Sequence, residues 1–377
     1  MENGLYGKDF LKTWDMTNED ILSVANTAEK LKALREKNIS SSFFDSGIAI
    51  SMVNNGRNMG MDFAFASGTD MLGLTRRELL GRVAGGSLAE TAAMTSYMAD
   101  CIGIRDCEFF EKSSRYMRRV SNVLKENSEN GVIPQRPCVI NLGSDEDSPV
   151  ETIALFEYLC ERFGGYENLK GKKIAISWAY SPTGTRPPAD PYGMLRLVSR
   201  FGMNVVLAHP EGYGLMPDTV EKVTEAAEKS GGSFAEAGTM AEAFKDADVV
   251  IPINWAPFTF FEARTDYYEI NRSSAIDVLE HELCEENMKY KDWECTEEIM
   301  ESTNNAVLLH PLPADVTDLS CVRGEMTAQV YNANTAGLFT AAGLRPYVVA
   351  AMILISKSED PAEILSKMEA RASERIM

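Results

Sequence analysis

"KKIAISWAYSPTGTRPPADPYGMLRLVSRFGMNVVLAHP", residues 172–210, holds two short apolar runs, "KKIAISW" and "NVVLAHP", with a helical pattern between them. Runs of this length flanking a helix read as parallel strands joined by a crossover, buried on both faces. The first strand ends at Trp178, but the helix does not begin for about a dozen residues, and Pro182, Pro187, Pro188 and Pro191 stand in between. An ordered insertion of that length at a strand's C-terminal end is either a surface excursion or part of a site.

The alternation continues on both sides. Downstream come a helix "DTVEKVTEAAEKSG", a short strand "SFAEAG", a helix "MAEAFKDA", and the strands "DVVIPINW" and "AVLLHPLP". Upstream are a helix opening at a Thr17/Asn18 cap, the strand "GIAISMV" (47–53) and a helix from about Asn58. These are followed by "SLAETAAMTSYMADC" with capping-box spacing at Ser87 and Glu90, the strand "IGIRD", a helix through "SRYMRRVSNVLKE" and the strand "CVINLG". Repeated strand–helix alternation predicts an α/β protein with two doubly wound parallel-sheet domains. In "DSPVETIALFEYL" (147–159), Ser148 as N-cap, Pro149 at N1 and Glu151 at N3 predict a capping box opening a linking helix. The expected domains are 1–148 joined by the C-terminal segment 345–377, and 149–344, with a ligand cleft between them.

Composition narrows the function. The chain has 377 residues, 45% hydrophobic and 25% charged, with 37 Lys+Arg against 56 Asp+Glu and a net charge of −19. That balance argues against nucleic acid and anionic membranes as partners, and any anionic ligand needs locally placed cations and amides. Seven scattered cysteines without a C-x-x-C suggest neither a metal centre nor a disulfide framework; a reducing cytoplasm is the expected compartment. The longest apolar run, Tyr347–Ile355, is too short to span a bilayer. No cofactor is indicated.

Four places carry chemistry. The turn "NNGRNMGMD" (54–62) joins a strand to a helix N-terminus, where unpaired amides suit an anion, with Arg57 and Asn58 nearest. Arg105 closes the "IGIRD" strand, a position for a phosphate or carboxylate, or else for an ion pair with Asp106 or Glu108. Residues 177–193 form the proline-rich insertion. In "HPLPAD", His310, Pro311, Leu312 and Pro313 make a stiff loop beyond a strand end, able to aim backbone carbonyls at a ligand or simply to turn the chain.

Together with "IPQRPCVINL", "RFGMNVVLAHPEGY", "SGGSF", "EAFKDADVV", "NWAP" and "KDWECTEEIM", these segments resemble the aspartate/ornithine carbamoyltransferase superfamily over nearly the whole chain. The likeness is strongest to its knotted members, which include acetylornithine carbamoyltransferase and the YgeW-like proteins of purine and nitrogen catabolism. The resemblance implies the carbamoyltransferase fold, a knot threaded through the "WAYSP" loop of the second domain, and a homotrimer. It also implies ligand positions at Arg57, Asn58, Arg105, Ser148, Glu151, Trp178, Asn254, Trp255 and the His310–Pro313 loop. The implied ligands are an amino or ureido acid, with carbamoyl phosphate or phosphate.

Two family motifs are lost. The S-T-R-T-R phosphate turn reads "NNGRNMGMD", and the H-P-x-Q motif reads Ser148-Pro149-Val150-Glu151. The sequence further suggests that Asp62 and Glu151 place uncompensated negative charge beside the donor site. Three functions fit: a divergent carbamoyltransferase of nitrogen catabolism, a non-catalytic relative that binds a small ligand or pairs with an active homologue, and a different reaction on the same frame.

Overall fold

A computed structural model describes residues 4–53, 59–79, 97–184 and 186–375. The Arg57–Asn58 turn and the expected Ser87–Glu90 capping box lie outside the described residues. The chain divides into two compact units, Met1–Ala154 with Gly343–Met377, and Leu155–Ala342.

In the first unit β1 (Gly47–Val53), β2 (Leu74–Glu78), β3 (Cys101–Arg105) and β4 (Cys138–Gly143) form an all-parallel sheet in the order β2-β1-β3-β4. The helix Lys112–Glu129 lays Tyr116, Met117, Val120 and Leu124 on Ile50, Met52, Ile102, Ile104 and Val139. The helices Met59–Met71 and Arg345–Lys357 pack together, and Asn18–Glu36 packs on the latter. The Asn18–Glu36 helix opens on a capping box: Thr17 Oγ1 accepts from the Asp20 amide, and the Asp20 carboxylate accepts from the Thr17 amide.

The stretch Ala328–Lys357 is long and apolar enough, by length and composition, to cross a membrane, which the shorter run Tyr347–Ile355 did not suggest. Ala and Gly between the larger residues extend its apolar character. Two thirds of that apolar window (67%) is buried, and residues Val348–Ser356 are enclosed within the first unit.

The second unit contains β5 (Lys173–Trp178), β6 (Asn204–Ala208), β7 (Ser233–Ala237), β8 (Val249–Ile253) and β9 (Val307–Leu308), all parallel in the order β7-β6-β5-β8-β9. β5 lies at the centre, flanked by β6 and β8, so its C-terminal end is where the strand order reverses, the usual ligand position in such sheets. Between β8 and β9 the chain makes a helical hairpin, Phe258–Glu269 and Ser273–Asn287, to which the sequence patterns assigned no elements. The Phe258–Glu269 helix buries only Phe260 and Phe261, so no continuous apolar stripe marks it.

Candidate functional site

At the C-terminal ends of β5, β8 and β9 a polar network forms around one carboxylate. Glu325 is fully buried, and both its oxygens are occupied. Oε1 accepts from the Asn254 amide at 2.8 Å and lies 3.6 Å from Arg186 Nη1; Oε2 accepts from the Asp315 amide at 2.8 Å and lies 3.0 Å from His310 Nε2. Burial alone would push this carboxyl up, but the Arg186 guanidinium, His310 and the Asp315 amide outweigh it and hold Glu325 at about 2. Arg186 also donates to the Pro313 carbonyl, and the Ser181 and Thr183 hydroxyls donate to Asp315.

The proline-rich insertion is thereby strapped to the His310–Asp315 loop, whose Leu312–Pro313 peptide is cis. Asp315 and Glu325 meet because the short strands β10 (Val316–Thr317) and β11 (Met326–Thr327) pair in parallel. Gly324 makes this possible: a Cβ there would lie 2.2 Å from the Asp315 carbonyl oxygen.

Trp178 and Trp255 are buried, and their indole N–H groups are taken up internally. Trp178 Nε1 donates to the Trp255 carbonyl and Trp255 Nε1 to the Tyr213 carbonyl, both at 2.8 Å. They therefore build the frame of the site, with the Tyr213 ring tilted against Trp178 at 4.9 Å, and leave no indole donor of their own for a ligand. Asn254 donates from Nδ2 to the Ala179 carbonyl at 2.9 Å. Leu312 packs on the core cluster that includes Leu308 and Val316, and Pro311 is buried.

In the first unit Arg105 ends β3 in register with Gly143 of β4, and its guanidinium has no hydrogen bond or ion pair among the described residues. Five residues past Gly143 is Ser148, at the start of the helix Pro149–Phe163. The expected capping box does not form there. The Ser148 amide donates to Asp147 Oδ1 at 2.7 Å, and Glu151 turns instead to Arg345, with Nε–Oε2 2.6 Å and Nη2–Oε1 2.8 Å. A buried, bidentate guanidinium is a stronger partner for a carboxylate than one helix amide.

The expectation of uncompensated charge is corrected with it. Glu151 is neutralised by Arg345, and Asp62 pairs with Arg76 at 2.8 Å while also accepting from Ser51, though Arg76 is shared with Glu78 at 2.9 Å. Arg345, Arg186 and Glu325 are the residues that sequence reasoning missed. Arg345 and Glu151 are 194 positions apart, and no local pattern couples them. Arg186, the sole cation in the proline-rich insertion, was the one available signal.

The loop after β4 holds a second perturbed carboxyl. Asp145 is pushed up to about 6 by burial and the neighbouring Glu146, against the amides of Ser114 and Glu111, which donate to it at 3.0 and 2.5 Å. Its folded value lies above its unfolded one, so the stability it contributes is complete below about pH 3.8 and is lost as pH rises through about 6. The stability difference between the native protein and an Asp145→Asn variant should therefore shift toward the native protein by roughly 2–2.5 kcal/mol between pH 7 and pH 4. Urea denaturation at a series of pH values measures it; a flat difference would refute the assignment.

This frame matches known proteins. A family model described as aspartate/ornithine carbamoyltransferase, Asp/Orn binding domain, matches residues 192–355. The YgeW protein of Escherichia coli (strain K12), itself named only provisionally as a carbamoyltransferase, is 43% identical over 99% of this chain and 95% of its own length. Ornithine carbamoyltransferase of Bacillus subtilis (strain 168) is 25% identical over 93% of this chain and 94% of its own. Among solved structures, acetylornithine transcarbamylase complexed with acetylcitrulline superposes with a TM-score of 0.70 at 24% identity, over 92% of this chain and 98% of that one. A variant of N-acetyl-L-ornithine transcarbamylase complexed with carbamyl phosphate and N-succinyl-L-norvaline gives 0.72 at 22%, over 93% and 100%. Two parallel sheets with flanking helices, and 43% identity to YgeW over nearly the full length, lead to one conclusion: the chain belongs to the aspartate/ornithine carbamoyltransferase family.

Proposed function

We propose that this protein transfers a carbamoyl group to an amino or ureido compound of nitrogen or purine catabolism, other than ornithine or aspartate, as a cytoplasmic homotrimer. In the reaction the acceptor nitrogen attacks the carbonyl carbon of carbamoyl phosphate, the carbon–oxygen bond to phosphate breaks, phosphate leaves with the electron pair, and the nitrogen loses a proton. The observation that carries the reading is Arg105, a guanidinium at the C-terminal end of a parallel strand with no ion-pair partner among the described residues, suited to a phosphoryl or carbonyl oxygen. The relatives solved with carbamyl phosphate and acetylcitrulline support the same class of ligands.

A second reading has its own observation. At the H-P-x-Q position Ser148 replaces the histidine, and Glu151 is held by Arg345, so neither family donor polarises a carbonyl there. A protein with that loss binds ligand without turnover. Loss of such donors costs a hundredfold or more in rate by ordinary magnitudes, so citrulline and carbamoyl-aspartate should stay at background with saturating ¹³C-carbamoyl phosphate. Mass spectrometry of reactions with a panel of amines and ureides should find labelled product with another acceptor. Labelled product with none establishes the second reading, and robust citrulline formation overturns the exclusion of ornithine.

A further inference from the structure

β3 and β4 run in register from Cys101 opposite Cys138 to Ile104 opposite Asn141, and then slip. Arg105 stands opposite Gly143, and Leu142 is passed over. An extra residue on one strand makes a β-bulge, which bends the end of the pair and re-aims the side chains beside it. Gly143 takes the bend at φ +139°, a backbone conformation that favours glycine. Its carbonyl accepts from the Asp106 amide at 3.0 Å, and a Cβ on it would lie 3.5 Å from both Cγ and Nε of Arg105. The Arg105 side chain therefore rests against the bare backbone of the bulge.

Asn141, 1% exposed, holds that bulge. Its Oδ1 accepts from the Gly143 amide at 2.8 Å. Its Nδ2 faces the Leu11 carbonyl at 2.8 Å, the Asp147 carbonyl at 3.1 Å and Ser144 Oγ at 3.2 Å. These partners fix which way the amide points, since a flip would set oxygen against carbonyls and NH₂ against an N–H. Asp147 in turn accepts the Ser148 amide on Oδ1 at 2.7 Å and both the amide and the hydroxyl of Thr13 on Oδ2. One buried side-chain amide thus ties together the two ends of the 143–148 loop, the bulge under Arg105 and the turn before Ser148.

We propose that Asn141 is a positioning residue of the phosphate site: it fixes the bulge that aims Arg105, and with it the turn that presents Ser148, without touching a ligand itself. This rests on the carbamoyl-transfer reading for what Arg105 binds. It goes beyond that reading in one respect, that phosphate affinity depends on Asn141 only while Arg105 is present.

The test is a double-variant cycle on the full chain, with inorganic phosphate as the probe in isothermal titration calorimetry. Asn141→Ala leaves room for water to satisfy the backbone groups but removes the fixed geometry. It should weaken phosphate binding roughly tenfold, the size of one hydrogen bond to a charged group. Arg105→Met should weaken it at least as much. In the Arg105→Met background, adding Asn141→Ala should change affinity by less than about twofold, the scatter expected of sites that no longer interact. A crystal structure of Asn141→Ala should show Arg105 displaced from Gly143.

The same loss from Asn141→Ala with and without Arg105 is the mark of a loop merely loosened, and overturns the proposal. So does unchanged affinity, or an Arg105 still lying against Gly143 in the variant. Should Asn141→Ala fail to fold, Gly143→Ala strains the bulge directly and should give the same Arg105-dependent loss. Phosphate that does not bind the native protein, or binds equally well to Arg105→Met, removes the carbamoyl phosphate reading. The crystal structure then decides alone whether Asn141 aims Arg105.

Discussion

Replacing Arg345 with methionine is expected to destabilise the first unit by about 3–5 kcal/mol, the usual result of removing one partner from a buried ion pair. The pair is enclosed, with side chains 5% exposed on each side. The substitution keeps much of the arginine's apolar volume, so packing loss is small and the main effect is electrostatic: Glu151 stays behind as a buried carboxylate with its counter-ion gone. The double variant Arg345→Met with Glu151→Leu should recover most of the loss, because replacing a buried pair by apolar groups is often neutral or stabilising. Trp14 is the one tryptophan of the first unit, so its ¹⁵N-indole resonance followed in urea reports on that unit separately from those of Trp178, Trp255 and Trp293. A loss below about 1 kcal/mol in the single variant, as for a solvent-screened pair, would show that the pair is not buried in solution.

The same pair changes how the degenerate donor motif is tested. Changing Ser148→His and Glu151→Gln together would write the family sequence back into the chain, but the second change strands Arg345 inside the first unit. Stability would fall for a reason unrelated to ligand binding, so a dead double variant would prove nothing. Adding Arg345→Met removes the stranded charge and makes the comparison fair.

Strands and most helices were legible because their signals are local. The runs at 47–53, 101–105, 138–143 and 173–178 are apolar on both faces, as strands inside a helix-covered sheet must be. The Thr17 capping box was similarly readable, since donor and acceptor lie three residues apart. The pattern at Ser148 and Glu151 has the same spacing and failed. Spacing permits a capping box without enforcing it, and an arginine 194 residues away supplied the stronger partner.

Site residues divide in the same way. His310 and its prolines could be recognised because they are contiguous, and the tryptophans because they end strands. Glu325 could not. It is one of 56 acidic residues, and its neighbours Asn254, His310 and Arg186 come from three other segments brought together only by the sheet. The hairpin of Phe258–Glu269 and Ser273–Asn287 escaped for another reason: acids and aromatics are mixed around the first helix, and the second buries only Leu283 and Asn287 among its many acids, so no clear apolar stripe stands out.

Glu325→Gln should be the most damaging single change in the second unit. The glutamine is nearly isosteric, so no cavity forms, and the effect isolates charge and hydrogen bonding. A carboxylate accepts at both oxygens, from the Asn254 amide and from the Asp315 amide. Glutamine accepts at only one, so its NH₂ group must face one of those donors, leaving a buried clash of like dipoles. Arg186 also loses the charge that matches it, and His310 the carboxylate 3.0 Å from its Nε2.

Because Glu325 sits at about 2 against an ordinary 4.5, it contributes roughly 3 kcal/mol at neutral pH by linkage. Its folded value is the lower one, so that contribution is complete above pH 4.5 and is lost as pH falls through about 2. The variant should consequently lose about 3–5 kcal/mol at pH 7, and the difference from the native protein should shrink toward acid. Stability from urea transitions of Trp178, Trp255 and Trp293 fluorescence at pH 7, 5 and 3.5 gives both numbers. A difference that stayed constant with pH would mean that Glu325 titrates in the folded protein as it does in the unfolded one, and that Arg186 does not hold it ionised.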